Sequence, residues 1–470
     1  MGGGRQAPAT CPGKTVMNPS VADTKRFDSP REATDVANGK RWTVLLIVVL
    51  TCSFGSALGA VSISYDFAGY AYVWDWAWFI DDDHLLMVKY VGRSFNPETG
   101  LLCYYNDSEL ALLTSSGSEV WHRAAGARAD DTILVARPTA TGLENVLTVK
   151  VSGRVISEAV ALPQGVLLLT CPENNPRVYE LRLYTYEGVE SKLVNLTGYI
   201  TSRLQEAGYG DTGYASVLVG YRPRGDLIVV GIEFYSGTAE WEYPLGADLI
   251  FYDGDLNRLS VLKYEETGLG GIRDYVDGFH YAITEDYFIT CLGGGLFIVS
   301  LEDFSWAWYF TPLMARADQF DTYSVIYMWV LAPPSGSYVF AFAHSEGWIG
   351  AEKVENASWV EVWRWDGGTT LTHVETRYLF PAQYPGIGGS PTRPVVHQYS
   401  RTPTYVAASP WALVAVDDVD RNYTIVPLAE TGGPSAVSPG AKYALVGSVS
   451  YTHLRAHETS LHLVCRLLLE

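Results

Sequence analysis

The 470-residue chain is short of cysteine, methionine and positive charge, with six Cys, five Met, and 33 Lys+Arg against 52 Asp+Glu for a formal net charge of -19. Three cysteines, Cys11, Cys52 and Cys465, lie in terminal segments, so Cys103, Cys171 and Cys291 allow at most one disulfide and exclude a stapled scaffold. The scarcity of Lys and Arg excludes a nucleic-acid binder, because displacing counterions from phosphates requires a basic face. Also missing are a G-x-S-x-G elbow, a C-x-x-C pair, a glycine-rich phosphate loop and sialidase-type S-x-D-x-G-x-T-W boxes. No long apolar run occurs either. The densest stretch, Val44–Leu50, is short against the roughly 20 residues of a spanning helix. What the chain does have is 48% apolar residues with 13% aromatics, which excludes disorder and supports a large core.

Charge is unevenly spread. Arg5, Lys14, Lys25, Arg26, Arg31, Lys40 and Arg41 against Asp23, Asp28, Glu32 and Asp35 leave residues 1–41 at +3, ahead of uncharged 42–65. A basic segment before an apolar one predicts a signal peptide or signal-anchor helix over 42–62, with Ser56, Ala57, Gly59 and Ala60 offering a cleavage site. The leader is long for a signal peptide, and Met17 is an alternative start. Residues 1–41 are then a disordered cytoplasmic or leader tail. The positive-inside rule places everything from residue 63 outside the cytoplasm, membrane-anchored or secreted. Four Asn-x-Ser/Thr acceptors follow the apolar segment, Asn106, Asn195, Asn356 and Asn422, as expected of an exported glycoprotein. Asn18 is disqualified by Pro19.

The last 22 residues, 449–470, read as a translated sequencing-library adapter: Val449–Thr459 and Leu463–Leu469 follow the transposase-adapter sequence in one frame. His453, His457, His462 and Cys465 therefore carry no chemistry, and the natural continuation beyond residue 448 is missing. Without 1–41 and this tail the chain has a net charge of -22, a strongly acidic body that repels anionic polymers.

Alternating apolar and polar segments joined by Asp-, Gly- and Asn-rich turns recur along the chain. Seven read as β-hairpins whose first strands end at Tyr105, Val151, Tyr186, Tyr252, Leu301, Trp365 and Val416, a period of about 52 residues. A Pro-x-Gly turn running into an apolar strand precedes several of them, at Pro163/Gly165, Pro223/Gly225 and Pro334/Gly336, with Ser438-Pro439-Gly440 starting another. Four strands per repeat, about seven times over, predict an all-β chain: a β-propeller of six to eight four-stranded blades preceded by the N-terminal helix. These turns and the Trp365-Asp366 pair resemble the WD40-like and TolB-like propeller superfamily, and "SSGSEVW" at Ser115–Trp121 resembles a quinoprotein-type repeat. The resemblance spans about 100–447 and implies a ring that the strand starting at Ser438 closes with the first blade.

Catalytic signals are sparse. His84, His122, His280, His344, His373 and His397 are scattered without ligand spacing, and no cofactor or metal is identified. Asp81–His84 reads as a solvated acidic turn. Two Asp-x-Asp-x-Asn turns, Asp253/Asp255/Asn257 and Asp418/Asp420/Asn422, start like calcium loops but lack the later glycine and glutamate. Aromatic stripes are the stronger signal. Tyr70, Tyr72, Trp74, Trp76 and Trp78 fall on one face if the segment is a single extended strand; Trp359/Trp363/Trp365 and Trp306/Trp308/Phe310 form two shorter stripes. Such faces stack on sugars, sit at membrane interfaces or pack between sheets. The expected function is a non-catalytic binding module at the cell surface, with a protein or glycan partner and a membrane contact through the N-terminal segment. Alternatives are a quinoprotein-like oxidoreductase, a polysaccharide-active hydrolase, or an envelope or surface-layer assembly component.

Overall fold

The computed structural model describes residues 43–54, 61–73, 76–89, 93–104, 109–124, 132–173, 178–210, 212–237, 244–270, 280–292, 295–381, 395–396, 404–408, 412–417, 421–427 and 436–450. Their strands form eight four-stranded antiparallel sheets, the blades of a β-propeller. Blade three runs Arg154–Leu162, Gly165–Pro172, Glu180–Tyr184, Glu190–Asn195 from the axis outward, and blade four Tyr214–Tyr221, Leu227–Tyr235, Pro244–Asp253, Arg258–Leu262. Blades five (Tyr281–Ile283 to Trp306–Phe310), six (Thr322–Leu331 to Leu371–Pro381) and seven (Val395–Val396 to Asn422–Pro427) repeat the same order. Hydrogen bonds that skip a blade identify the first strands as axial. Asn96 Nδ2 donates to Ala161 O (2.6 Å) in blade three and to Pro223 O (2.9 Å) in blade four, and the Ser94 and Tyr221 hydroxyls meet at 3.4 Å.

Apolar layers between neighbouring sheets hold the ring together. Leu101, Cys103 and Val135 of blade two meet Ile156, Ala161 and Leu168 of blade three. Equivalent layers follow between blades three and four, four and five, five and six, and six and seven, with Trp329, Trp359, Phe234 and Phe251 among the most buried side chains. Burial at about 25 cal/mol per Å² of apolar surface makes these layers the main stabilising contribution.

The Pro-x-Gly turns close the axial hairpins and also lock adjacent blades. Gln164 Nε2, in the blade-three turn, donates to Gly225 O (2.8 Å) and Gly254 O (2.9 Å) of blade four. Gly225 has φ +77°, and a Cβ there would stand 2.3 Å from Gln164 Oε1, so both the turn and the approach require glycine. Tyr287 Oη donates to Gly336 O (3.0 Å) between blades five and six. Blades one and eight are joined by Gly440 N donating to Asp82 Oδ1 (2.9 Å).

Three expectations need correction. First, Thr43–Phe54 is not a helix. It is an inner strand of blade eight, antiparallel to both Val61–Val73 and Tyr443–Ser450, so the two ends of the chain complete one sheet in the order Ala436–Val437, Tyr443–Ser450, Thr43–Phe54, Val61–Val73. β-branched Thr43, Val44, Ile47, Val48, Val49 and Thr51 favour this pleated form, and a short apolar run carries no periodicity that separates strand from helix. No helix among the described residues is long and apolar enough to cross a membrane. Residues 1–41 and 451–470 lie outside the described residues.

Second, two of the seven expected hairpins are crossovers. Blade one is Trp76–Phe79, His84–Lys89, Glu109–Thr114, Glu119–Ala124, and blade two is Arg93–Asn96, Leu101–Tyr104, Thr132–Thr139, Gly142–Lys150. The chain lays down the axial half of each before returning for the outer halves, so the segment at Tyr105-Asn106 links blade two back to blade one. Likewise Val151–Arg154, closed by Arg154 N donating to Val151 O (3.1 Å), passes from blade two to blade three. Polar residues satisfy the backbone in a tight hairpin and in a short crossover alike, so local pattern does not separate them. The other five hairpins are the outer pairs of blades three to seven. Third, the aromatic stripe from Tyr70 to Trp78 is not one strand. Tyr70 and Tyr72 pair opposite Leu46 and Val44 in blade eight, whereas Trp76 and Trp78 begin blade one and Trp74 lies outside the described residues.

Candidate functional site

The other two aromatic stripes separate by burial. Trp359 (0% exposed) and Trp363 (4%) are core between blades five and six, and Trp365 donates from Nε1 to Gly368 O at 2.9 Å. Trp78 is half-buried against Phe95, ring centroids 5.9 Å apart. Trp306 (36% exposed) and Phe310 (64%) instead lie at the surface, on the outermost strand of blade five. That strand, Trp306-Ala307-Trp308-Tyr309-Phe310, pairs with Gly295–Ser300 on one side and with no described strand on the other.

Side-chain alternation sorts these five residues. Ala307 and Tyr309 face blade six, where Tyr309 Oη donates to Thr369 O (2.9 Å). Trp306, Trp308 and Phe310 face the blade-four side. Trp308 Nε1 donates to Thr267 O (2.7 Å), and its ring lies parallel to that of Phe310 within 8°, centroids 5.9 Å apart. Both rings rest on Gly295, where a Cβ would stand 3.0 Å from Trp308 and 3.2 Å from Phe310. The 3₁₀ turn that follows, Pro312–Gln319, adds Met314 at 42% exposure and Arg316, which donates to the Tyr378 hydroxyl at 3.0 Å.

The hydrogen-bond phase of the strand fixes what its free edge offers. Ser300 N donates to Ser305 O (2.9 Å), so Ala307 and Tyr309, in step with Ser305, spend their backbone groups on the ladder. The N–H and C=O of Trp306, Trp308 and Phe310 point away from the sheet. Sheet edges are normally blunted by charge or proline. The outer strands of blades one, two, three, four and six carry charged residues, and that of blade seven ends on Pro427; blade five has neither.

A second group of polar residues lies in the axial wall. Glu158 follows a bulge in the first strand of blade three, and His280 immediately precedes that of blade five. Counted back from their hairpin turns, at the Leu162–Gly165 and Thr284–Tyr287 pairs, both stand four residues deep, at one level of the ring. Burial pushes Glu158 up to about 7 and His280 down to about 4. His280 Nε2 is buried without a hydrogen-bond partner, and its ring meets Trp329 edge-on at 6.1 Å. Both groups are therefore uncharged between about pH 4 and 7.

The remaining polar motifs are structural. His84 Nδ1 pairs with Asp81 at 2.9 Å in the turn that docks blade eight. Asp253 accepts from Asp255 N (2.9 Å), Asn257 N (2.8 Å) and Asn257 Nδ2 (3.0 Å); burial opposes ionisation, but these bonds hold it below the usual carboxylate range. This is a hairpin turn, and residues 418–420 of the second such motif lie outside the described residues. Among the described residues no group of three or more His, Cys, Asp or Glu is arranged to hold a metal. Of the glycosylation acceptors, Asn195 is exposed at the rim, its Oδ1 accepting Thr197 N at 2.9 Å, and Asn422 is half-buried on the outer strand of blade seven. Asn356 lies in the strand Glu352–Trp365, and Asn106 and His397 lie outside the described residues.

Sequence pattern missed the most buried charged cluster. The helix Thr197–Glu206 packs Ile200 and Leu204 into the layer between blades three and four and aims Arg203 (4% exposed) at Asp248 (0%), Nε to Oδ2 2.8 Å. Tyr199 Oη (2.6 Å) and Tyr264 N (2.8 Å) also donate to Asp248. A lone acid inside the apolar strand Pro244–Asp253 was the available signal.

These features define the class: a β-propeller with eight four-stranded sheets among the described residues. Among solved structures the chain is similar to a europium-containing methanol dehydrogenase (10% identity, 79% of this chain and 85% of that one, TM-score 0.42). It is also similar to the Cps50 (Swd1) β-propeller domain of Myceliophteria thermophila (11%, 73% and 100%, 0.38) and to quinohemoprotein alcohol dehydrogenase ADHIIG from Pseudomonas putida HK5 (9%, 78% and 70%, 0.38). The chain matches no protein-family model, and no curated protein sequence is similar to it. These names include dehydrogenases and a β-propeller domain, so the likeness extends to fold and not to chemistry.

Proposed function

We propose that this propeller is a non-catalytic binding module of the cell surface. The observation that carries the proposal is the outer strand of blade five, which exposes Trp306 and Phe310 on an otherwise acidic body. Exposed aromatic surface of this kind marks an interaction site. The exposed acceptor at Asn195 supports an extracytoplasmic setting.

Two measurements on the full chain test this. Co-sedimentation with envelopes of the source cell is expected to retain the wild type and release a Trp306→Ala/Phe310→Ala double variant; equal retention of both refutes the proposal. Protease added to intact cells is expected to degrade the propeller, and endoglycosidase to lower its mass; protection from the protease refutes the location.

A further inference from the structure

Resting on the binding-module proposal, we propose that the free edge of Trp306–Phe310 takes up an extended, cationic segment of a partner protein as a fifth strand of blade five. Three observations converge on this occupant. The backbone phase leaves the N–H and C=O of Trp306, Trp308 and Phe310 directed outward, the pattern an added strand pairs with. The same three residues carry the aromatic face, so one incoming strand meets the hydrogen-bonding edge and the rings together. The surroundings are acidic: Glu302 and Asp303 are exposed in the turn just before Trp306, and Glu266 is exposed in the short helix whose Thr267 carbonyl holds Trp308, while Glu265 of that helix is already paired with Arg203. Lys or Arg side chains of the added strand would therefore lie over ring faces and beside carboxylates, where cation–π and ion-pair attractions add. Charge also decides against a second copy, because two chains each at -19 repel. A neutral sugar leaves both the outward backbone groups and the flanking carboxylates unused.

The probe is a synthetic nine-residue peptide alternating Lys with Val, compared with its Glu-for-Lys counterpart and a cello-oligosaccharide, each titrated into the full chain by calorimetry. The Lys peptide is expected to bind and to weaken at least about tenfold in high salt, while the Glu peptide does not bind. Phe310→Ala is expected to weaken binding about tenfold through the lost ring. Trp306→Ala removes a ring and keeps the outward N–H, whereas Trp306→Pro removes both, so the added loss in Trp306→Pro reads backbone pairing directly. Circular dichroism of each variant verifies that the blade is intact.

Equal loss in the two Trp306 variants overturns strand addition. Binding of the oligosaccharide but not the peptide, abolished by Phe310→Ala, overturns the cationic occupant and leaves the binding module standing. A dimer in sedimentation equilibrium that Phe310→Lys dissociates assigns the edge to a second copy and likewise overturns the proposal. If neither probe binds and envelope retention is also indifferent to Trp306 and Phe310, this proposal and the binding-module proposal fail together.

Discussion

Glu158 and His280 make opposite demands on pH, and the structure sets the size of each. Glu158 titrates near 7 instead of 4.5, so between those values the folded chain holds a proton that the unfolded chain has released; stability falls as pH rises through this window and the loss is complete above 7. His280 titrates near 4 instead of 6.5, so between 4 and 6.5 the unfolded chain holds a proton that the folded one refuses; stability falls as pH drops through this window. Each shift corresponds to at most about 3 kcal/mol at roughly 1.4 kcal/mol per unit. From 4.5 to 6.5 the slopes cancel in the wild type, and single substitutions uncover them. Glu158→Gln is expected to match the wild type at pH 4 and to exceed it by up to about 3 kcal/mol at pH 8. His280→Gln, relative to its own offset at pH 8, is expected to gain up to about 3 kcal/mol at pH 4. Urea unfolding followed by tryptophan fluorescence at pH 4, 5.5 and 8 measures these differences, and comparison at fixed pH cancels every other titrating group. Curves for Glu158→Gln that stay parallel to the wild type from pH 4 to 8 would refute the placement of this carboxyl in a desolvated wall.

The other structural assignments are open to simpler tests. Asp248→Ala leaves Arg203 buried without its main partner and is expected to destabilise the chain by about 3–5 kcal/mol in urea unfolding, against about 1 kcal/mol for Tyr199→Phe; near-wild-type stability of Asp248→Ala contradicts the cluster. Gly225→Ala forces a side chain into positive φ and against Gln164, so it is expected to cost more, in thermal unfolding, than the roughly 1–2 kcal/mol of Gln164→Ala. The two surviving aromatic stripes are expected to part in the same assay: Trp359→Ala costs about 3–5 kcal/mol as a core truncation, while Trp306→Ala stays within about 1 kcal/mol. Equal effects at the two sites would contradict their division into core and surface.

What the residues announce in advance, and what they conceal, follows from the range of each interaction. Five outer hairpins and the Pro-x-Gly turns are encoded within a dozen residues each, in alternation and positive-φ glycines, and they stand where that pattern puts them. Blade membership is different. Leu101–Tyr104 finds its partner in Thr132–Thr139, nearly 30 residues on, past two strands belonging to the neighbouring blade, and nothing local marks that choice. The aromatic stripes show the same limit. Trp359 and Trp306 belong to equally apolar stripes, and only the sheet packed against the first makes it core.

Thr43–Phe54 carries this argument furthest, because its composition satisfies two solvents. A bilayer and a sheet interior both reward an uncharged, β-branched run, and both require every backbone group to be paired. The propeller supplies those pairs from both sides: Val61–Val73 matches the segment along its whole length, and Tyr443–Val446 meets Ile47–Val49 and Leu46 opposite. Over Thr43–Val49 the strand has partners along both edges, and Leu50–Phe54 is held along one edge by Val61–Val73, so the sheet competes directly with helical pairing. The apolar run that reads as an export signal is thus the same run that closes the ring. Membrane insertion and ring closure are mutually exclusive states of one segment, and in the folded propeller the sheet holds it.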